Sequence, residues 1–574
     1  MTRTAATLTL SALFLSCPAS GLAAESPPRA VRAPVSGESL SRPVQSGSDA
    51  RSSDAMWAPA RLAQAGGQAA PADLEIDWGA QMGADAADGS AIRAFLEQGD
   101  TERALARARD FHARAPASAV AANLLGLVHQ VRGELEEARR LYAEADRLDP
   151  GNLGANLVLT KLAMDAGDLD AAEGPSSRAL EYHPEAIEAM LARAVVLLGK
   201  GNREDAEKLL RQAVETHPDA LSARDALARL LIEGGRATEA AALWEEAVKA
   251  HPADQTYLIP YAMAQLAAGA YDQALATARR LIELNPNAAG ARHLAARAML
   301  RLKDVKGARA ALEEAVALDP EGATARLDLA QVLLAERDLE GARKQLEWVA
   351  KAVPEHATAK RLSGVLALAD GQTERALALL EDAYRLQPSQ DNVLVLSDIA
   401  LRAGRIDRAL AVQEQWLAGN EKDLLARFAY ASTLGAAKRI QDANREYERI
   451  LTEDPDNVIA LNNLAWNLRE TDAKRALALA EKAHGIAPAS LAVLDTLAAI
   501  QVTARQYKAA ERTIGQGLNQ HPGATGLQYW QAELLAATGR AGEGRQRLQE
   551  LLKSQEQFPE RAEAEALLKR LQPR

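Results

Sequence analysis

The sequence predicts an all-α protein, a right-handed superhelical solenoid of about 14 helix–turn–helix repeats closed by a C-terminal capping helix. Three observations carry that prediction. Nine prolines (Pro116, Pro150, Pro184, Pro218, Pro252, Pro286, Pro320, Pro354 and Pro388) stand 34 residues apart. With each proline set as position 32, position 20 is alanine throughout: Ala104, Ala138, Ala172, Ala206, Ala240, Ala274, Ala308, Ala342 and Ala376. Position 15 is glycine at Gly99, Gly133, Gly167, Gly201, Gly235, Gly269 and Gly371. Chance does not hold three residue types in one register.

Each repeat reads as helix A, a turn, then helix B. Position 8 of helix A is small (Gly126, Ala194, Ala228, Ala262, Ala296, Ala330 and Gly364), matching the alanine at position 20 where the two helices cross. Glycine at position 15 suits a turn residue with positive φ. The proline ends helix B, because it cannot donate into a continuing helix and biases the residue before it away from αR. A 34-residue helix hairpin with these small positions resembles the tetratricopeptide repeat (TPR). After Pro388 the register loosens. Gly404 and Ala409 mark a tenth repeat, one residue short, whose closing proline is replaced by Glu421. Ala443 and Pro455, Ala476 and Pro488, and Ala510 and Pro522 mark the next three, while Gly539 and Leu548 mark the fourteenth, with Pro559 late. Two prolines fall inside helices, Pro175 in helix B of repeat 3 and Pro260 in helix A of repeat 6. They are either absorbed or they bend the array, since an interior proline costs about 3 kcal/mol.

The predicted organisation is a signal peptide over 1–24, a disordered linker over 25–84, the solenoid over 85–559 and the capping helix over 560–574. Arg3, the apolar run 5–16 and the small residues 20–24 have the form of an export leader. Its dozen apolar residues are too few to span a bilayer, which takes about 20. Cys17 is the only cysteine, which excludes an intramolecular disulfide. Phe14-Leu15-Ser16-Cys17 resembles a bacterial lipobox, making Cys17 a lipidation candidate; the other reading is an ordinary cysteine in a leader cut near Ala24. The linker is rich in Ser, Pro, Gly and Ala, with Trp57 and Trp78 as isolated aromatics.

Formal charge is −11, with 67 basic and 78 acidic residues interspersed, and no basic stripe appears. That excludes nucleic acid as the expected partner. No P-loop, nucleophile elbow, HExxH or cysteine cluster occurs, so no enzyme activity, cofactor or metal is expected. His183, His217, His251 and His521 each precede a position-32 proline, where a cation meets the C-terminal end of a helix dipole. Helix A lines the concave groove of a TPR array, through positions 2, 5, 9 and 12. Those positions supply the binding candidates Asp225, Arg229, His293, Arg297, Arg361, Phe428, Trp466 and Tyr529. Arginine forks suit carboxylates, and exposed aromatics suit peptide side chains or sugar rings. The alternative for Phe428 and Trp466 is that they fill space between repeats. A clamp for chaperone C-terminal carboxylates is excluded, because Asn463 is followed in the next repeat by Ala492 and Thr496 rather than bases.

Segments 462–468 (Asn-Asn-Leu-Ala-Trp-Asn-Leu), 476–488, 493–498 and 558–571 (Phe-Pro-Glu-Arg through Leu571) resemble the C-terminal signature of TPR-repeat lipoproteins of the exosortase (PEP-CTERM) system in Gram-negative bacteria. The resemblance implies an exported, non-enzymatic scaffold working in exopolysaccharide or surface-protein assembly or export. It places the protein in the periplasm or on the outer membrane facing the periplasm. Its expected partners are envelope or secretion proteins or a glycan, with membrane contact only through a lipid anchor. The alternative is a periplasmic chaperone or assembly factor for envelope proteins.

Overall fold

The computed structural model describes residues 86–554, 558 and 560–572. The leader over 1–24, Cys17, the linker with Trp57 and Trp78, and Pro559 lie outside the described residues. The described chain is helical, and its helices alternate as A and B members of successive hairpins. Repeats 1 and 2 are α1 (Ala86–Glu97), α2 (Thr101–Arg114), α3 (Ala119–Val131) and α4 (Leu135–Leu148). Repeats 3 and 4 are α5 (Leu153–Asp165), α6 (Leu169–Tyr182), α7 (Ile187–Gly199) and α8 (Arg203–Thr216). Repeats 5 and 6 are α9 (Leu221–Glu233), α10 (Ala237–Ala250), α11 (Gln255–Ala267) and α12 (Tyr271–Leu284). Repeats 7 and 8 are α13 (Ala289–Arg301), α14 (Val305–Leu318), α15 (Ala323–Ala335) and α16 (Leu339–Ala352). Repeats 9 and 10 are α17 (Ala357–Ala369), α18 (Thr373–Leu386), α19 (Gln390–Arg402) and α20 (Ile406–Gly419). Repeats 11 and 12 are α21 (Leu424–Ala436), α22 (Ile440–Glu453), α23 (Val458–Leu468) and α24 (Ala473–Ile486). Repeats 13 and 14 are α25 (Leu491–Thr503), α26 (Tyr507–Gln520), α27 (Thr525–Ala537) and α28 (Ala541–Ser554), followed by α29 (Arg561–Arg570). The helices fall into two compact units that part between Val332 and Leu333.

The small-residue register is the interface within each hairpin. Position 20 is fully buried from Ala104 to Ala376 and again at Ala409, Ala443, Ala476 and Ala510. Position 8 is small because position 24 of the same repeat reaches over it. A Cβ on Gly126 would stand 3.2 Å from the Tyr142 ring, and one on Gly364 would stand 2.8 Å from Leu380 Cγ. Trp244 plays the part of Tyr142 in repeat 5, buried beside Ala228. In repeat 14 the small residue at position 20 is Gly544, whose Cβ would meet the Ala532 carbonyl at 2.9 Å; Leu548 belongs to the buried layer one turn later.

The turn at position 15 demands a left-handed residue. Glycine supplies it at Gly99, Gly133, Gly167, Gly201, Gly235, Gly269, Gly371, Gly404 and Gly539, with φ from 72° to 83°. Four repeats place a long side chain in the same conformation: Lys303 (φ 66°), Arg337 (62°), Lys438 (63°) and Arg505 (59°). Repeat 12 avoids it by a shorter turn, where Asp472 (φ −145°) caps α24 directly. The residue missing around repeat 10 lies elsewhere than the sequence register placed it. Helix α19 begins at Gln390 with Ser389 as its cap, so the shortening falls in the turn that closes repeat 9. Both interior prolines are accommodated: α6 runs through Pro175 and α11 through Pro260 without interruption.

The histidines before the prolines tie repeats together. His183 Nε2 donates to the Gly151 carbonyl at 2.6 Å, and His217 Nε2 donates to that of Glu185 at 2.6 Å. His521 Nε2 does the same to Ala489 at 3.1 Å, while His251 Nε2 reaches the Asp219 carboxylate at 3.3 Å. Each bond spans 32 residues, from the end of one helix B to the preceding inter-repeat turn.

Candidate functional site

Within each unit, successive A helices approach one another more closely than successive B helices do, as at α7/α9, α9/α11 and α11/α13, and at α23/α25 and α25/α27. A stack crowded on its A side presents A-helix residues to the inner face. Position 9 is half-buried from Arg93 to Arg297, as expected for a residue that packs its stem and leaves its end at the surface.

The clearest exposed apolar feature on this face lies in repeats 11 and 12. Leu425 and Ile459, both at position 2, are 53% and 55% exposed. Phe428, one helical turn from Leu425, is half-buried with its ring 6.1 Å from that of Tyr447. Trp466 is half-buried at position 9 of α23, and the Arg469 guanidinium lies over its ring at 4.0 Å. Between them stand Asn462 and Asn463. Asn463 Nδ2 donates to the Tyr447 hydroxyl at 3.2 Å, while Asn462 Oδ1 is buried without a hydrogen-bond partner. Exposed aliphatic side chains on this face are suited to the apolar side chains of a bound polypeptide.

The other candidates divide by environment. Asp225 is 2% exposed and paired with Arg229 along α9; burial pushes its carboxyl up, against the pull of that guanidinium. It is packed inside the groove wall, and Arg229 is the half-exposed member of the pair. His293 Nε2 lies 2.7 Å from Asp328 Oδ2, in the next repeat. Burial pushes the Asp328 carboxyl up, but His293 and, at longer range, Arg297 outweigh it and hold the carboxyl below its ordinary value. Arg361 is half-buried on α17. Tyr529 is 8% exposed, packed with Leu548, Leu551, Ala564 and Leu567 between repeat 14 and α29. Burial and then Glu533 push its hydroxyl up to about 12. In this structure α29 covers Tyr529, so the ring serves the end of the array.

Sequence reasoning missed Asp328, which belongs to position 6 and meets position 5 of the preceding repeat. Leu425 and Ile459 at position 2 were passed over as well, because an aliphatic residue carries no mark in sequence that separates a surface position from a packed one. The register itself carried the signal for Asp328. Among the described residues no cluster of His, Cys, Asp and Glu could hold a metal ion, and no helix is long and apolar enough to cross a membrane.

The sequence profile described as "Tetratricopeptide repeat" matches residues 90–152, 157–220, 191–255, 293–346 and 327–391. A second profile, "Anaphase-promoting complex, cyclosome, subunit 3", matches residues 235–315. No curated protein matches the chain. Among solved structures, the chain is similar to one in the crystal structure of the APC/C hetero-tetramer Cut9-Hcn1, at 14% identity and a TM-score of 0.46. That similarity covers 84% of this chain and 95% of the other.

Proposed function

Because the chain is a tetratricopeptide-repeat protein, we propose that it is a non-enzymatic scaffold that holds other proteins through the A-helix face of its repeats. The observation that carries this reading is the apolar surface of repeats 11 and 12, where Leu425 and Ile459, at the same register position of successive repeats, stand more than half exposed. Exposed aliphatic side chains repeated at one register position mark an interaction surface. The leader-like residues 1–24 and the resemblance of 558–571 to the exosortase-system lipoproteins support a finer assignment. In it the protein is exported and acts in the assembly or export of exopolysaccharide or surface proteins, in the periplasm or at the outer membrane through Cys17. A chaperone for envelope proteins is the second reading, favoured by aliphatic residues at the lining positions of repeat 6, Ile259, Met263 and Leu266.

Affinity capture from the native host, with wild-type protein and Trp466→Ala in parallel, tests the scaffold. One or two defined envelope partners, lost with Trp466→Ala while helical content and melting stay unchanged, are the expected result. A broad spread of unfolded envelope proteins identifies the chaperone. Capture that is indifferent to Trp466 removes this face from the function, and loss of folding shows that Trp466 is structural. Mass spectrometry of the N-terminus in the same sample reads whether Cys17 is acylated or removed.

A further inference from the structure

Position 9 of helix A alternates between a base and an aliphatic residue through the first seven repeats. Arg93, Lys161, Arg229 and Arg297 hold it in repeats 1, 3, 5 and 7, spaced 68 residues apart, while Leu127, Val195 and Met263 hold it in repeats 2, 4 and 6. All seven are half-buried, and all belong to the unit that ends at Val332. Packing does not ask for a base there, since leucine, valine and methionine serve the same position at similar burial. Composition does not supply the bases either, in a chain of net charge −11.

The four cations are not equally compensated. Lys161 has Asp165 one turn along its helix at 3.1 Å, and Arg229 is paired with Asp225. Arg93 and Arg297 touch no carboxylate among the described residues, and Arg93 Nη2 is buried without a hydrogen-bond partner. Arg297 lies only in the longer-range field of Asp328, whose hydrogen bond goes to His293. Helix α13, which carries Arg297, holds three arginines and no acidic residue. A half-desolvated guanidinium without a partner is unfavourable in the free protein and gains most when a carboxylate arrives.

We propose that this ladder binds an acidic polypeptide segment, with carboxylate side chains meeting the odd-repeat bases and aliphatic side chains meeting Leu127, Val195 and Met263. The aliphatic rungs decide for a polypeptide over an anionic polysaccharide, because a chain hydroxylated throughout gains little from apolar contact. The ladder shares no residue with repeats 11 and 12, so either can fail without the other.

The test is fluorescence anisotropy of the full-length protein with a fluorescein-labelled peptide of alternating leucine and glutamate, and with its leucine–glutamine counterpart. We expect the glutamate peptide to bind at least about tenfold tighter, the scale of one charge-assisted hydrogen bond. Arg93→Gln and Arg297→Gln should each weaken it several-fold, Arg297→Lys should retain most of it, and added salt should weaken it further. Trp466→Ala should leave it unchanged. Circular dichroism of each variant shows that folding is intact. Equal affinity for the two peptides, or no affinity for either, overturns the proposal. Preference for polygalacturonate over the glutamate peptide overturns the polypeptide assignment and makes the ladder a site for uronate glycan.

Discussion

At the scale of single residues, environment sets the role of a side chain more than its type does. Asp225 and Asp328 are both carboxylates on A helices, yet burial pushes the first up while His293 and Arg297 hold the second down. The folded state of Asp328 therefore favours the charged form relative to the unfolded chain. Its contribution is fully present above the ordinary carboxylate value and is lost as pH falls through the lower, folded value. Asp328→Asn should accordingly cost roughly 1.5–3 kcal/mol at neutral pH, the range for a hydrogen bond to a charged group. The difference from wild type should shrink between neutral pH and a pH below that folded value. Urea melts at the two pH values measure this, and a cost that persists undiminished in acid would mean that the pair is not electrostatic. Nothing in residue type alone separates Asp328 from the solvated acids around it, because its partner lies in another repeat.

At the scale of the element, each hairpin turn asks one residue to adopt positive φ. Nine described glycines meet that demand at little steric cost, whereas Lys303, Arg337, Lys438 and Arg505 meet it against the clash of Cβ with the following carbonyl. Left-handed backbone costs a non-glycine residue about 1–2 kcal/mol, and glycine returns part of that through its greater freedom in the unfolded chain. Lys303→Gly and Arg505→Gly should each stabilise the protein by roughly 0.5–1 kcal/mol, read as a rise in the urea midpoint at constant slope. A lowered midpoint would show that the lysine or arginine stem contributes packing that outweighs the strain. The grid of glycines was legible in the sequence because it repeats. Its four exceptions were not, because a lysine in a turn carries no mark of the dihedral angle it has been given.

At the scale of the whole molecule, an array of repeats has ends, and an end exposes whatever the next repeat would have covered. At the C-terminal end α29 covers Tyr529, Leu548 and Leu551 with Ala564 and Leu567, and Arg570 reaches Glu533 at 3.2 Å. Leu567→Asp would bury a charge without a partner, costing several kcal/mol unless the helix lifts away. The expected outcome is detachment of α29, a change in the fluorescence of Trp530, which lies 4.9 Å edge-on from Tyr529, and self-association through the uncovered face. Size-exclusion chromatography and the emission spectrum check both effects. An unaltered spectrum and a monomer would mean that α29 does not protect the end.

The sequence by itself determined the period, the helix boundaries set by proline, the small residues at positions 8 and 20 and, outside repeat 10, the register that names the lining positions. These are local demands repeated 34 residues apart, so each copy confirms the others. Only the tertiary structure decided which lining residues reach a surface. Tyr529 and Asp225 share position 5 with Phe428 and His293, yet the first two are buried by α29 and by the groove wall. It also decided that the histidines at position 31 serve as ties to the preceding turn, through bonds that cross 32 residues. The physical reason is common to both. Helix formation and hairpin closure depend on neighbours in sequence, whereas exposure and pairing depend on which repeat is stacked against which, and that is written in no single repeat.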